Sequence, residues 1–130
     1  MLPAADGRAL ELAQNALQQM RAAMMPLSLI DVYGKVASGM IMGDANIFGP
    51  VETSRPRGYE IPGIVQVNRE IMGLPGLHAK TVFGRNQMFW FAFDAFGNFY
   101  MLDTLNLNAM RQYGADPCRA ILDCLAVGKI

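Results

Sequence analysis

The strongest constraint on the fold is the stretch Lys80–Asp103, which reads KTVFGRNQMFWFAFDAFGNFYMLD. It predicts three consecutive antiparallel strands, because its apolar runs are separated by short segments rich in turn-forming residues. The predicted strands are Lys80–Arg85, Met88–Phe93 and Phe99–Leu102. At the second turn, Gly97 can take a positive φ, and Asp94 and Asn98 can hydrogen-bond the local backbone.

The middle predicted strand is apolar on both faces. Successive side chains of a strand point to opposite faces, so Met88, Trp90 and Ala92 lie on one side and the phenylalanines of Phe89–Phe93 on the other. Such a strand must be covered on both faces, or covered on one face and bound to a partner on the other. We therefore expect a central strand in which Trp90 is largely buried.

Composition limits the chain to one well-cored domain. Of its 130 residues 52% are apolar and 17% are charged, and a chain of this size buries roughly two-thirds of its unfolded surface. Eleven basic residues balance eleven acidic ones without a Lys/Arg cluster, so direct binding to nucleic acid or to an anionic membrane is not expected. No linker or internal repeat divides the sequence, which predicts a single domain over residues 1–130.

The N-terminus and the cysteines predict a cytoplasmic protein. The opening sequence MLPAADGRALELAQNALQQMR lacks the basic and apolar regions of a signal peptide, and no apolar run approaches the length of a membrane span. Cys118 and Cys124 on one helix would have Cα atoms about 9 Å apart, too far for a disulfide. Reduced, buried thiols are typical of a reducing compartment.

Helical periodicity and punctuation predict four helices. They span about Gly7–Met24, Leu27–Ala37, Ile61–Met72 and the segment after Asp116-Pro117, a pair that is a strong helix start. Met40–Met42 and Ile47–Phe48 predict a small hairpin or two edge strands, and Met110–Tyr113 predicts a further strand. This order predicts an α+β fold with helices packed mainly on one face of a twisted antiparallel sheet.

Each predicted helix has apolar residues at three- and four-residue steps, which indicate its buried face. In the first helix these are Leu10, Ala13, Leu17, Met20 and Met24. In the second they are Leu29, Ile30, Tyr33 and Val36. In the third they are Ile64, Val65, Asn68, Ile71 and Met72, and in the last Cys118, Ile121, Leu122 and Leu125.

The segment Val51–Glu60, VETSRPRGYE, is predicted to be the longest loop and the only locally charged one. Its candidate partner-binding residues are Glu52, Arg55, Arg57, Tyr59 and Glu60. Arginine and tyrosine are enriched at binding hot spots, and a polar loop cannot bury itself. Two interpretations stay open at this point, a partner-binding surface and a solvated connection.

No constellation of side chains predicts a catalytic, metal or cofactor site. His78 is the only histidine and lacks the partners that a general base or metal ligand needs. Asp94 and Asp103 would lie well apart, one forming a turn and the other ending a strand. Cys118 could be a nucleophile at the positive end of a helix, but a buried small hydrophobe is the favoured interpretation. The glycines lack phosphate-binding spacing, so no cofactor is expected.

Four stretches of the chain, in order, carry a resemblance. They are the Pro-led helix Pro26–Gly39, the pair of apolar residues in Ile47–Pro50, the helical segment Val67–Glu70, and the strand series Val82–Arg85, Phe91–Asp94 and Gly97–Tyr100. Together they resemble the SUKH superfamily, and in particular its YrhA-like bacterial branch. Many relatives have Asn-Gly where this chain has Ser38-Gly39. The resemblance covers Pro26 to the C-terminus, and the N-terminal helix within residues 1–25 is less diagnostic.

The resemblance implies a SUKH-like α+β domain and a role as an immunity protein. Such a protein is a cytoplasmic antidote that binds and blocks a toxin, or secreted effector, made by the same or a neighbouring bacterium. The shared residues specify the fold and include no catalytic signature, so the resemblance transfers a partner class without contact residues. A housekeeping adaptor of the same fold is the alternative, and an enzyme is disfavoured by the lack of a polar constellation. The oligomeric state is left open.

Overall fold

A computed structural model of the chain describes residues 7–36, 39–42, 45–50, 53–55, 59–61, 63–71 and 80–127. Within these residues the helices are α1 (Gly7–Gln19), α2 (Leu27–Lys35), α3 (Ile64–Ile71) and α4 (Pro117–Val127). The strands are β1 (Met40–Met42), β2 (Ala45–Ile47), β3 (Thr53–Arg55), β4 (Tyr59–Ile61), β5 (Lys80–Arg85), β6 (Phe89–Asp94), β7 (Phe99–Asp103) and β8 (Ala109–Gly114).

Six strands form one antiparallel sheet in the order β1-β2-β5-β6-β7-β8. The strands β3 and β4 pair with each other in a separate two-stranded sheet. The α+β class, the hairpin of β1 and β2, the central place of β6 and the fourth strand of the meander are therefore confirmed. The bounds of β5 are those that the sequence predicted.

One face of the large sheet carries an aromatic core. Phe93 of β6 lies in register with Thr81 of β5 and with Phe99 of β7, so these three side chains share a face. The rings of Phe83, Phe93 and Phe99 pack with centroids 5.5 to 6.1 Å apart, in tilted or edge-to-face arrangements. All three rings are fully buried, and such aromatic pairs add to the hydrophobic stabilisation of the core.

Helical elements cover this same face. Thr81 Oγ1 donates a 2.7 Å hydrogen bond to the carbonyl oxygen of Ala23, in the connection between α1 and α2. Met101 of β7 shares the face of the core phenylalanines, and its register partner Arg111 of β8 pairs with Asp123 of α4. The α1–α2 connection and α4 therefore pack on the same face of the sheet.

The opposite face is also buried at its centre. Val82 of β5 is in register with Ala92 of β6, and both are at most 1% exposed. Leu102 of β7 is fully buried on the same side. The central strand is thus covered on both faces, as its sequence predicted. Trp90, on this same face, is partly buried and packs against the core.

A buried asparagine joins α3 to the edge of β5. Asn68 Nδ2 donates to the carbonyl oxygen of Val82 (2.7 Å), and Val82 N–H donates to Asn68 Oδ1 (2.8 Å). The strand β2 pairs with Gly84 and Arg85 of β5. The side-chain amide of Asn68 continues the pairing along β5 at Val82. Asn68 Nδ2 also donates to the carbonyl oxygen of Ile64. Helical spacing placed Asn68 on the buried face, and its hydrogen bonds explain how a polar residue is tolerated there.

The turn between β6 and β7 has the predicted chemistry. Asp94 Oδ1 accepts hydrogen bonds from the backbone N–H of Phe96 (2.9 Å) and of Asn98 (3.0 Å). Gly97 has a φ of 84°, a left-handed conformation that glycine adopts without a steric penalty. Local side-chain hydrogen bonds and one permissive residue therefore fix this hairpin.

The turn between β5 and β6 differs from the expectation by one residue. Asn86 Oδ1 accepts hydrogen bonds from the N–H groups of Met88 (2.9 Å) and Phe89 (2.8 Å), which holds Met88 in the turn. The strand therefore begins at Phe89, and Met88 is 58% exposed. The predicted start at Met88 was wrong because the asparagine side chain, rather than a strand partner, takes these two N–H groups.

The first helix is shorter than its periodicity predicted. It ends at Gln19, where Arg21 N–H donates to Gln18 O and Ala22 N–H donates to Leu17 O (both 3.0 Å). Arg21 has a φ of 58°, and this pair of bonds with a left-handed residue is the Schellman helix ending. A non-glycine residue in that position gives no sequence signal, which is why the ending was missed.

The chain between α1 and α2 has no regular secondary structure after Arg21. The side-chain amide of Gln14 receives the N–H of Met25 (2.7 Å) and donates to its carbonyl oxygen (3.0 Å). Ala23 and Met25 are buried, whereas Met24, predicted to lie on the buried stripe, is 41% exposed. Burial therefore follows every second residue from Ala23 to Met25 and departs from the three- and four-residue steps of a helix.

Two further predicted stripes are corrected at their ends. Asp116 Oδ1 accepts from Cys118 N–H, so α4 begins as predicted. Its buried residues are Pro117, Ala120, Ile121 and Cys124 rather than the full predicted stripe. Cys118 and Leu122 are exposed, and Leu125 is partly buried. In the second helix Leu29 and Tyr33 are fully buried, whereas Val36 is 58% exposed because the helix ends at Lys35.

Candidate functional site

The first candidate surface is the polar segment that the sequence predicted to be a loop. The structure corrects this expectation, since β3 and β4 pair as an antiparallel hairpin with Thr53 opposite Ile61 and Arg55 opposite Tyr59. Arg55, Tyr59 and Glu60 therefore lie on strands. Glu52 and Arg57 lie outside the described residues. In the hairpin, Arg55 and Tyr59 are register partners. The segment therefore contains paired strands and is not an irregular loop throughout.

Both ends of the hairpin segment are fixed near the large sheet. Gly49 and Gly63 form a parallel bridge, and the N–H of Ile64 donates to the carbonyl oxygen of Gly49 (2.8 Å). Phe48 N–H donates to the carbonyl oxygen of Phe83 on β5 (2.8 Å), and the Phe48 side chain is fully buried. The expectation that the residues before the segment hold its base on the sheet is therefore confirmed.

The second candidate surface lies at the far edge of the large sheet. The strand β8 pairs only with β7 among the described residues, and Tyr113 is its sole partly buried residue, the others being exposed. Sheet order and exposure leave the outer backbone edge of β8 accessible. An edge of this kind presents backbone N–H and C=O groups that can pair with another extended chain.

A hydrogen-bonded cluster joins β8 to α4. Asp123 Oδ2 accepts from Arg111 Nη1 at 2.7 Å and from Tyr113 Oη at 2.8 Å. Tyr113 Oη also lies 3.8 Å from the sulfur of Met101. One carboxylate oxygen therefore holds two side chains of alternate positions on the strand, which fixes their orientation on the α4 face of the sheet.

Two members of this cluster, Tyr113 and Arg111, each keep one charge state near neutral pH. Partial burial, together with the hydrogen bond to Asp123, raises the pKa of Tyr113 above its usual range. The hydrogen bond to Asp123 likewise raises the pKa of Arg111. Tyr113 is therefore a neutral donor and Arg111 is a cation at physiological pH.

The same residues line an open groove of about 320 Å³ between β8 and α4. Its lining residues are Arg111, Gln112, Tyr113, Arg119 and Asp123. Arg119 is exposed and has no acidic partner among the described residues. Since Asp123 balances Arg111, Arg119 leaves the groove lining with a net positive charge. The arrangement can hold an anionic group, and guanidinium groups suit carboxylates because they donate two parallel hydrogen bonds.

A third polar cluster lies on the other face of the sheet. Tyr100 Oη donates a 2.7 Å hydrogen bond to Asp94 Oδ2, and Lys80 Nζ lies 5.3 Å from the centroid of the Tyr100 ring. Partial burial acts to raise the pKa of Asp94, yet the hydrogen bonds from Tyr100, Asn98 and Phe96 outweigh it and hold that pKa below its usual value. The cluster therefore stabilises the turn between β6 and β7, because Asp94 accepts hydrogen bonds from the turn backbone and from Tyr100.

The candidate catalytic groups are not assembled into a site among the described residues. Asp94 begins the turn of the β6–β7 hairpin, whereas Asp103 is in register with Phe89 at its opposite end. Their predicted separation is therefore confirmed. His78 lies outside the described residues. In the part of the chain that the structure describes, no group of three or more His, Cys, Asp or Glu side chains could hold a metal ion.

The two cysteines differ in environment. Cys118 is exposed, which contradicts its expected burial, because the first turn of α4 presents it away from the sheet. Cys124 is fully buried, and its sulfur lies 3.5 Å from the carbonyl oxygen of Arg85 and 3.8 Å from that of Asn46. Burial raises the pKa of Cys124 to about 12. The buried thiol is therefore protonated and unreactive at neutral pH.

Sequence reasoning missed the groove between β8 and α4. It predicted Met110–Tyr113 as a strand but assigned no role to Arg111, Tyr113, Arg119 or Asp123. A strand reading Arg-Gln-Tyr is a signal for an exposed edge, since a central strand would be apolar. The pairing of Arg111 with Asp123 depends on how α4 packs on the sheet, and no local pattern predicts it.

Comparisons with known proteins were made for the whole chain. No protein family, no curated protein and no solved structure matches it. Among the described residues, none of the helices has the length and apolar character needed to cross a membrane.

Proposed function

We propose that the chain is a non-catalytic immunity protein that binds and neutralises a cognate bacterial toxin in the cytoplasm. The resemblance of its ordered stretches to the YrhA-like branch of the SUKH superfamily suggests this role. The α+β architecture, with two helices before the first strands and one after the last, has the element order from which the resemblance was drawn. A cytoplasmic antidote implies a toxin that attacks nucleic acid, a nucleotide cofactor or the translation machinery.

The observation that carries the proposal is the hairpin of β3 and β4. It is separate from the large sheet in its pairing, and its base is tied by the bridge between Gly49 and Gly63. A hairpin with a fixed base loses less conformational freedom on binding than a flexible loop does. Its paired backbone positions include residue types of a hot spot, since Arg55 is in register with Tyr59.

The charges of the segment suit two kinds of toxin surface. Toxins that bind nucleic acid or nucleotides have basic clefts, for which Glu52 and Glu60 are the complementary charges. An acidic toxin surface would instead bind Arg55 and Arg57, which can each donate forked hydrogen bonds to a carboxylate. Tyr59 adds contact area with little rotamer entropy to lose.

Co-purification from the source cell tests the proposal. The captured protein is identified, expressed with and without the chain in a bacterial host, and scored by growth. The expected result is arrest by the captured protein alone and rescue by the chain. Capture of a protein that is harmless when expressed alone would contradict neutralisation and support the housekeeping adaptor. A neighbouring gene for a large secreted protein with a variable C-terminal domain would favour the immunity role.

The contact surface is tested by replacing Arg55, Arg57 and Tyr59 together with Ala. The expected result is at least about a tenfold rise in the dissociation constant for the captured toxin, since truncating hot-spot residues costs more than about 1 kcal/mol. A matched control replaces Arg8, Glu11 and Arg69, which are all exposed on α1 and α3. Unchanged affinity with an unchanged melting temperature would move the interface to another surface.

A further inference from the structure

We infer that the outer edge of β8, with the groove beside it, binds an extended acidic segment of a partner protein by adding a strand to the sheet. The segment would run along Ala109–Gly114 and place carboxylates at alternate positions toward α4. This inference goes beyond the proposed function, since an acidic strand can belong to a partner of any role. It concerns a surface different from the hairpin of β3 and β4.

The backbone edge supplies the first part of the argument. The six residues of β8 pair on one side with β7, and five of the six are exposed. An unpaired strand edge binds extended peptides through main-chain hydrogen bonds, and pockets for alternate side chains add specificity. The groove between β8 and α4 lies on one side of this edge and supplies such a pocket.

The charge of the groove indicates the side chains that fit it. Arg111 and Tyr113 both donate hydrogen bonds to Asp123 Oδ2, so one carboxylate oxygen orients both side chains. Arg119 has no acidic partner among the described residues, so one cation of the lining is not balanced. A carboxylate of the added strand would balance it. A lysine there would instead meet a net positive charge.

The opposite side of the strand calls for a different residue type. Met110 is 56% exposed. Gln112 is in register with Tyr100, which directs its side chain to the face away from α4 although the residue also borders the groove. An added strand therefore meets cationic groups on one face and a mixed apolar surface on the other. An alternation of acidic and β-branched residues matches both faces, because side chains of a strand alternate between them.

A second copy of this chain fits the edge less well. Antiparallel pairing of β8 with the β8 of another copy would place both α4 helices on the same face of a continuous sheet. The two grooves would then meet across the seam with four arginines, Arg111 and Arg119 from each copy, against two Asp123 carboxylates. The surplus of positive charge disfavours this pairing.

The test uses the full chain labelled with ¹⁵N and four synthetic probes. The first probe is a blocked octapeptide of alternating Thr and Glu, and the second replaces Glu with Lys. The third has the same composition as the first, with four Thr followed by four Glu, so its charge is equal but its alternation is lost. The fourth carries N-methyl groups on alternate residues and cannot complete a strand pair. The expected result is a shift of the amide signals of Ala109–Gly114 with the first probe only.

Two variants test the role of the unpaired cation. Arg119→Glu should weaken binding of the Thr-Glu peptide at least about tenfold, and higher salt should weaken binding to the unchanged chain. Arg8→Glu is the matched control, because Arg8 is exposed on α1 and undergoes the same charge reversal away from the groove. It should change the affinity less than about twofold. Circular dichroism of both variants checks that they fold.

Several outcomes would overturn the inference. Absence of shifts at β8 with the first probe would do so. Equal binding of the Lys peptide, or of the peptide with four Thr followed by four Glu, would also do so. Shifts at β8 that depend on protein concentration without peptide, together with a dimer mass in sedimentation, would assign the edge to a second copy. Loss of toxin binding leaves these titrations unaffected, so failure of the proposed function and failure of this inference are distinguishable.

Discussion

The strands β6 and β8 belong to one sheet and are separated by a single strand, yet they have opposite roles. In β6 the residues Phe91, Ala92 and Phe93 are fully buried, and both edges of the strand are paired. In β8 all residues but Tyr113 are exposed, and within the described part of the chain it pairs with β7 alone. The burial of β6 and the exposure of β8 show that the core of the described residues is built on the centre of the sheet and not on this edge.

The pairing geometry follows the same division. The register of β6 with β7 is uninterrupted from Phe89 to Phe93. The cross-strand aromatic pair of Phe93 and Phe99 lies at one end of this range. The register of β7 with β8 shifts twice, between Phe99 and Tyr100 and between Met101 and Leu102. Such irregularities twist an edge strand and are frequent at the margins of sheets.

The largest expected effect comes from removing an aromatic ring of the central strand. Phe93→Ala should lower the free energy of unfolding by about 3–5 kcal/mol, because it leaves a cavity between two other buried rings. Phe96→Ala is the matched control, since Phe96 is 91% exposed in the adjacent turn, and should change stability by less than about 0.5 kcal/mol. Urea unfolding of both variants measures the difference. Similar losses in the two variants would contradict the assignment of the core to the centre of the sheet.

The next effect concerns the amide that extends the pairing of β5. Asn68→Ala should cost about 2–3 kcal/mol, because it leaves the N–H and C=O of Val82 buried without their partners. Glu70→Ala changes an exposed residue of the same helix and controls for helix propensity. Chemical unfolding gives the stability, and hydrogen exchange of the Val82 amide reports the lost bond. Unchanged protection of that amide in Asn68→Ala would show that this pairing is unimportant.

The centre of the sheet could be predicted from the sequence because its signals are local. The apolar run of β6, the turn formed by Asp94 and Gly97, and the helix start at Asp116 each depend on neighbouring residues alone. The early end of α1 could not be predicted, because Arg21 takes a left-handed conformation that is unusual for its type. The exposure of Cys118 was missed because helical spacing gives a stripe without showing which of its edges meets the sheet.

The candidate surfaces were predicted unequally for the same reason. The segment containing Arg55 and Tyr59 was identified from composition, but its pairing as a hairpin was missed because Pro56 and Gly58 favoured a loop. The groove between β8 and α4 was missed entirely, since Arg111 and Asp123 are distant in sequence. Ion pairs between elements depend on packing, which periodicity does not determine.

A smaller effect is expected at the edge strand. Tyr113→Phe should lower stability by about 1 kcal/mol, since it removes one hydrogen bond to a partly exposed carboxylate. Faster hydrogen exchange confined to β8 and α4 would accompany it. The control is Gln112→Ala, which changes the neighbouring exposed residue. Loss of protection across β6 in Tyr113→Phe would contradict the separation of centre and edge.

The pH dependence of the same variant sharpens this comparison. The folded-state pKa of Tyr113 is raised by partial burial and by Asp123, so its contribution is fully present below the unfolded pKa of about 10. It is lost as pH rises from there through the folded pKa. Burial also raises the pKa of Tyr33, so Tyr33 contributes to the pH dependence of both proteins. The quantity to measure is therefore the difference in the free energy of unfolding between the unchanged chain and Tyr113→Phe. That difference should shrink above about pH 10, and a difference that grows would reverse the assigned sign.

The smallest effect on stability is expected at Cys118. Within α4 it allows an exposed cysteine to be compared with the buried Cys124. A thiol reagent should modify Cys118 in the native protein, because its side chain is exposed. The modification should lower the free energy of unfolding by less than about 0.5 kcal/mol. Cys124 should react only on unfolding, because its thiol is buried against the backbone of β5 and its pKa is raised to about 12. Mass spectrometry of the labelled protein, with Cys118→Ala as the control, counts the modified thiols. Native labelling of Cys124 at a comparable rate would show that α4 opens from the sheet, which would place this helix with the edge rather than with the core.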